Sequence, residues 1–298
     1  MHYLDLVDEM LTEGLRGLSA AFRHAALAHT LASQRPDGGF AGRRGGSDLY
    51  YTEFGLRLLT LLDAPREALA RIAGFLSATM PPCELVDVFS LLNGRRLLAA
   101  RGLDLAVDEG ACREEIASRR ARAGGYGRPD GSGPTAYATF LAALSLSLLG
   151  ESLSDPERAT AALLALQLPD GGFAQEAGGL SQTNSTSAAV GALLLENALP
   201  AEAAAPARGY LATRQDISGG FSSHGDLPAD LLSTFTALMT LVLLDGLDRI
   251  DAAGVARFVK SCARAAGGFG AHAADAQADI EYTYYGVGTL ALLAGTLP

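Results

Sequence analysis

Gln167-Leu168-Pro169-Asp170-Gly171-Gly172-Phe173, echoed by Gln34-Arg35-Pro36-Asp37-Gly38-Gly39-Phe40, is the stretch that decides how this chain folds. Its ending, two glycines and an aromatic residue, returns at Gly124-Gly125-Tyr126, Gly219-Gly220-Phe221 and Gly267-Gly268-Phe269. The first glycines are separated by 86, 47, 48 and 48 residues, the first step being about two periods of 43. A fixed period of this length marks copies of one supersecondary unit, none of which can bury its apolar face alone.

The copy around residue 240 shows what the unit is. Leu231, Leu232, Phe235, Leu238, Met239 and the run Leu241 to Leu244 are apolar nearly all round, which reads as a helix buried on every side. In residues 250–264, Val255, Phe258, Val259 and Cys262 recur at helical spacing with Arg257, Lys260, Ser261 and Arg264 between them. That is an amphipathic helix with one wet face. Gly246 stands where the buried helix should stop, in the left-handed conformation a C-terminal cap takes. The unit is outer helix, Gly-Gly-aromatic loop, inner helix.

Along the chain, buried-type helices are expected to begin near Asp48, Glu84, Thr135, Gln182, Asp230 and Asp279, and amphipathic ones to occupy 16–33, 65–78, 106–120, 154–167, 201–214 and 250–264. The repeats then run 16–62, 65–102, 105–150, 154–198, 201–246 and 250–296 within one domain over 1–298. Few strand signals survive. The expected fold is all-α, an α/α toroid in which six inner helices ring a central cavity inside six outer ones. An open solenoid is the alternative, but six buried-type helices need cover on both sides, and closure supplies it. All inner helices then run one way, so their N-termini, with unpaired N–H groups and partial positive charge, gather on one rim. Such a rim suits an anion, a metal with acidic ligands, or an acid above an apolar pit.

Composition narrows the partners. Of 298 residues 49% are apolar and 19% charged, enough for a large core. The formal charge of −10, with Lys260 the only lysine, argues against nucleic acid or an anionic membrane surface. Cys83, Cys112 and Cys262 are too few and scattered for a disulfide framework. Met1 to Gly14 carries Asp5, Asp8, Glu9 and Glu13 rather than a basic stretch before an apolar run, so no secretory signal is read there. No apolar run reaches the ~18–20 residues a spanning helix needs. A cytoplasmic protein without a membrane span is expected.

The Gln-x-Pro-Asp-Gly-Gly-Phe runs and the helix pairs resemble the β subunits of protein prenyltransferases and the terpenoid (squalene-type) cyclases, over roughly residues 16 to 296. The resemblance implies the toroid. It also implies where chemistry would lie, and there this chain departs. In the prenyltransferase pattern Asp230 is kept as a zinc ligand, but the cysteine position holds Leu232 and the histidine position Tyr282. Zinc needs about three nitrogen, sulfur or oxygen ligands, so no catalytic zinc and no other cofactor is expected. The diphosphate-binding arginine, lysine and histidine positions hold His224, Leu227 and Gln182. The Asp-x-Asp-Asp string of class II cyclases is absent, as is tryptophan.

What remains is a set of acids near the expected rim (Asp48, Glu53, Glu84, Asp87, Asp230, Asp279, Glu281) interleaved with tyrosines. A carboxyl desolvated beside an apolar cavity has a raised pKa and donates a proton at neutral pH, and aromatic faces stabilise a cation. Asp230, Asp279 and Glu281 are the candidate catalytic acids. Asp48, Tyr51, Tyr137, Gln182, His224, Tyr282 and Tyr285 are the candidate substrate contacts. The structural alternative is plain: Asp48, Asp230 and Asp279 sit at expected helix starts, where aspartate is a favoured N-cap. Three functions follow. One is acid-initiated isomerisation or cyclisation of a polyprenyl chain. Another is prenyl transfer from a diphosphate, with a partner subunit completing the site. The third is binding of an apolar ligand or partner helix without chemistry.

Overall fold

In the computed structural model, described for residues 3–79, 81–131, 133–225 and 227–296, helices account for nearly all regular structure. A first helix, α1 (Tyr3–Gly17), precedes an alternation of outer and inner helices. In chain order these are α2 (Ala20–Ser33), α3 (Leu49–Leu61), α4 (Arg66–Ser77), α5 (Leu85–Ala99), α6 (Glu109–Ser118) and α7 (Ala136–Leu148). Then come α8 (Pro156–Leu164), α9 (Thr183–Leu195), α10 (Ala201–Ala212), α11 (Leu231–Leu243), α12 (Ala252–Ser261) and α13 (Ile280–Thr296). The odd-numbered helices from α3 pack in sequence order, and α13 packs back on α3, so the inner ring is closed. Among the described residues, strand pairing is confined to a two-residue antiparallel ladder, β1 (Phe221–Ser222) with β2 (Ala229–Asp230), and isolated bridges.

Each inner helix starts one residue after the residue expected to open it; Asp48, Thr135, Asp230 and Asp279 cap theirs through the side chain, and Glu84 and Gln182 hold the cap position without such a bond. The Gly-Gly-aromatic loop locks onto the first turn that follows. Phe40, Tyr126, Phe173, Phe221 and Phe269 each donate a backbone N–H to a threonine hydroxyl four residues past the cap: Thr52, Thr139, Thr186, Thr234 and Thr283, at 2.8–3.2 Å. The repeat opened by Glu84 has no such loop, and Val88 stands at the threonine position. The first glycine of each pair has φ between 89° and 101°. It also lies flat on the next outer helix: a Cβ on Gly171 would sit 2.4 Å from the Pro206 carbonyl oxygen. Gln34, Gln167 and Gln215 staple the same junction, each donating to its own first glycine's carbonyl and to a carbonyl at the start of the next outer helix.

Two local expectations are corrected. Gly246 is not the left-handed cap of α11. Its φ is −124°, and Asp245 takes the positive φ of 52°, as Asp63 and Asn197 do after α3 and α9. Aspartate and asparagine tolerate this region because their short side chains bond locally. Gly246 is instead a close approach to the Arg208 side chain. Residues 16 and 17 belong to α1 rather than to the first amphipathic helix, since Gly17 ends one helix and Ser19 caps the next through Phe22 N–H at 3.2 Å.

The first helix was not anticipated. It lies at the end where the inner helices finish, with Gly14 against Ala291 so closely that a Cβ would fall 1.9 Å from its oxygen. Arg96, in the last turn of α5, holds it through Asp5 at 3.0 Å and Asp8 at 2.6 Å. Among the described residues no helix is long and apolar enough to cross a membrane. All three cysteines are free.

Candidate functional site

Inside the ring is a cavity of about 420 Å³, in the range of small-molecule sites. Its floor is Tyr3, Leu4 and Val7 of α1, and its walls are largely apolar, from Phe89 and Phe140 to Leu232 and Met239. One wall is a stack of rings from α3, α11 and α13: Phe54 lies 5.0 Å from Tyr50 and 5.4 Å from Tyr285, and Phe235 lies 5.4 Å from both Tyr284 and Tyr285.

A cation already stands in this wall. Arg57 is 5.3 Å from the Tyr284 ring and 5.4 Å from that of Phe89, and it is ion-paired with Glu53. Asn93 Nδ2 donates to the same Glu53 oxygen at 2.6 Å. Burial works against the guanidinium charge, but Glu53 and Tyr284 outweigh it and raise the Arg57 pKa. Glu53 was read as a rim acid; it lines the cavity instead, as half of a pair. The pair was visible as Glu53 and Arg57 four apart in an otherwise apolar helix, a spacing that more often marks a solvated face.

At the mouth, Glu281 Oε1 accepts from Tyr50 Oη at 2.7 Å and from Tyr285 Oη at 3.4 Å. Burial raises the Glu281 pKa. The Tyr50 bond pulls it down, the Asp279 charge pushes it up, and Tyr285 and Arg43 lower it. Asp279 caps α13 through Tyr282 N–H at 2.9 Å and receives Arg43 Nε at 2.8 Å. Arg43 also reaches Asp275 and lies 5.6 Å from the Tyr282 ring. Burial acts against the charge of Asp275, yet Arg43 and the Ala271 and Gln277 N–H groups bring its pKa down to about 2. Arg43 is a contact that the sequence pattern does not reveal; the one signal is a pair of arginines, Arg43-Arg44, in the glycine-rich loop just ahead of Asp48.

Asp230 accepts from Ser233 N–H and Ser233 Oγ, both at 2.8 Å, and burial raises its pKa against those bonds. Burial, Glu281 and then Asp230 drive the Tyr282 phenol up to about 12, so both carboxylates act on that one ring. Asp48 caps α3 through Tyr51 N–H at 2.8 Å, and burial raises its pKa. Gln182 makes no side-chain cap; its Oε1 accepts from Ser185 at 3.4 Å. His224 lies in the loop before β2, 3.4 Å from Ser223 Oγ. Of the ten candidate residues, Tyr137 and Tyr285 line the cavity; Asp48, Gln182, Asp230 and Asp279 stand at the starts of inner helices, Tyr51, Glu281 and Tyr282 in their first turns, and His224 in a loop. Tyr137 lines the cavity and is 45% exposed.

The rim is less bare than expected. The first N–H of α7, α9 and α11 is taken by the carbonyl of Gln175, Ser223 and Ala271 from the following loop, at 2.8–2.9 Å. The donor set does not fit zinc: Leu232 has no ligand atom, and both Asp230 oxygens accept from Ser233. No group of three or more His, Cys, Asp or Glu among the described residues is placed to hold a metal ion.

Comparison with known proteins agrees with this architecture. A family model described as the prenyltransferase alpha-alpha toroid domain matches residues 17–78, 76–224 and 186–297. No curated protein matches by sequence. Among solved structures, protein geranylgeranyltransferase-I of Candida albicans, complexed with GGPP, is similar at TM-score 0.51 and 18% identity, over 83% of this chain and 67% of that one. A variant of the type II terpene cyclase MstE from Scytonema, complexed with geranylgeranyl dihydroxybenzoate, is similar at TM-score 0.65 and 16% identity, over 96% and 99%. An α-1,6-mannanase from Salegentibacter sp. is similar at TM-score 0.64 and 15% identity, over 92% and 98%. At these identities the likeness is one of fold, and one fold hosts several chemistries.

Proposed function

Since the chain belongs to the prenyltransferase alpha-alpha toroid family, we propose that its central cavity takes a polyprenyl or comparably long apolar chain and that Glu281 is the acid that starts an isomerisation or cyclisation on it. The observation that carries this reading is an apolar cavity with an aromatic wall, two of whose lining phenols, Tyr50 and Tyr285, bond to the half-buried carboxylate of Glu281. Tyr50 and Tyr285 bond to Oε1, leaving Oε2 to carry the proton. In the step proposed, that proton passes to one alkene carbon, the π pair forms the new C–H bond, and positive charge develops on the neighbouring carbon. Tyr50 stabilises the carboxylate left behind, and ring faces stabilise the cation. Return of a proton from an adjacent carbon to Glu281 re-forms a double bond. Asp230, also raised by burial, is the alternative acid; Asp279, which caps α13 and pairs with Arg43, supplies negative field.

Two neighbouring chemistries fit less well. A mannan chain would bring hydroxyls against phenylalanine and leucine walls. A prenyl diphosphate would need free cations at the mouth, where Arg43 is held by two carboxylates. Binding without chemistry is the second reading, favoured by one observation: Glu53, the carboxylate that does line the cavity, is locked to Arg57 and Asn93. Solvent extraction of the purified protein followed by mass spectrometry tests the shared premise. An isoprenoid recovered near one per chain is expected, and a reproducibly empty or sugar-bearing protein would remove it. Conversion of that lipid by the parent protein separates catalysis from carriage.

A further inference from the structure

Apart from its phenols, Ser90 and the Glu53–Arg57 pair, the polar side chains lining the central cavity stand together where α9 packs on α11. They are Asn184 and Ser187, one turn apart on α9, and Thr236 and Thr240, one turn apart on α11. Ser187 Oγ donates to Thr236 O at 3.1 Å, and Thr240 Oγ1 donates to the same oxygen at 2.8 Å. Their protons are spent, but each hydroxyl keeps a lone pair that can accept. Thr236 Oγ1 has one proton and two acceptors in reach, Asn184 Oδ1 and Leu232 O, both at 2.9 Å. If the proton goes to Asn184, the amide turns its NH2 to the cavity. If it goes to Leu232, the amide turns over, donates to Thr236 and shows the cavity its oxygen. Either way, one edge of a half-buried amide has no partner among the described residues.

A pure hydrocarbon lying on that edge strips it of water and returns no hydrogen bond, which is costly. An alcohol hydroxyl meets either edge, because it both donates and accepts. When it accepts from Asn184 Nδ2, its own proton is left for Ser187 Oγ, one turn along on the same helix face. A ketone or an ether can only accept. We propose that the apolar chain taken up by the cavity carries an alcohol hydroxyl, held by Asn184 and Ser187 on the α9–α11 wall. This placement rests on the cavity taking such a chain, and it orients the chain. Asn184 and Glu281 each stand two residues past a cap position, Gln182 and Asp279, so the hydroxyl lies at the level of the acid. The double bond nearest the hydroxyl is then the one that Glu281 protonates.

Equilibrium dialysis of the full chain against hexahydrofarnesol, its methyl ether and farnesane tests this. The three share one skeleton and, being saturated, give Glu281 nothing to protonate. The parent should bind the alcohol about tenfold more tightly than the ether, as a hydrogen bond to an otherwise unpaired group implies. Asn184→Leu should erase that preference, with Thr236 donating to Leu232 alone, and Ser187→Ala should reduce it about threefold. Neither change should weaken binding of farnesane. An ether bound as well as the alcohol by the parent, or a preference unchanged in both variants, would overturn the hydroxyl site and leave the apolar cavity standing. Binding of none of the three would overturn both.

Discussion

A carboxyl with phenol donors on one oxygen, as Glu281 has in Tyr50 and Tyr285, keeps its other oxygen for a proton. Burial holds its folded pKa above the unfolded value of about 4.3. Below that value the acid is protonated in both states and nothing is lost. As pH rises through the unfolded and then the folded pKa, the folded state gives up a proton it holds more tightly, and stability falls. Glutamine does not titrate. Glu281→Gln should therefore gain on the parent by up to about 1 kcal/mol between pH 4 and pH 7 in urea denaturation, while turnover of an isoprenoid substrate is lost. A pH-independent difference would mean the carboxyl is not raised, and undiminished turnover would pass the role to Asp230. Asp275 behaves in the opposite sense. With its pKa down to about 2, the stability it contributes is present above pH ~4 and lost as pH falls towards 2. Asp275→Asn should be less stable than the parent at neutral pH and converge with it in that acid window.

The unit that repeats is held by a hydrogen bond as much as by glycine. Removing a threonine hydroxyl leaves a buried N–H of the aromatic residue without a partner. Thr186→Val, close in shape, should cost about 1–3 kcal/mol in equilibrium unfolding, since Phe173 N–H lies 2.8 Å from the lost oxygen. Val88 shows that a repeat without the glycine loop has no need of that hydroxyl. Helix starts were legible because the Gly-Gly-aromatic loop recurs at a near-constant period and a polar residue stands at the cap position in every repeat. The first helix was not. Leu4, Val7, Leu11 and Leu15 have helical spacing and are buried, but no Gly-Gly loop accompanies them, so counting repeats passes over them. Gly14→Ala should drive α1 off α13 and cost about 3 kcal/mol, at the upper end for overpacking, with faster proteolysis at Arg16 as the readout.

Closure joins residues no spacing rule connects. Tyr50 and Glu281 are 231 positions apart and Arg43 and Asp279 are 236, yet both pairs cross the seam between the first and last repeats. This is why the acids and tyrosines of the mouth were legible as residue types while their pairing, and Arg43 with it, was not. The same limit explains Glu53 and Arg57, whose burial depends on which side of α3 faces the cavity. The seam also decides how the molecule comes apart. An open array unfolds from its ends, each repeat held by nearest neighbours. A closed ring has no ends, and here the seam adds the Arg43 ion pairs, the Tyr50 to Glu281 bond, and Gly267 pressed against His29 of α2. Hydrogen exchange followed by mass spectrometry at rising urea should show α3, α9 and α13 losing protection at one concentration, as in a two-state transition. The double variant Arg43→Gln, Tyr50→Phe weakens the seam without touching any other repeat interface, so α3 and α13 should then lose protection before α9. If those helices already part from α9 in the parent, the ring is not one cooperative unit, and the mouth between α3 and α13 opens more readily than its hydrogen bonds suggest.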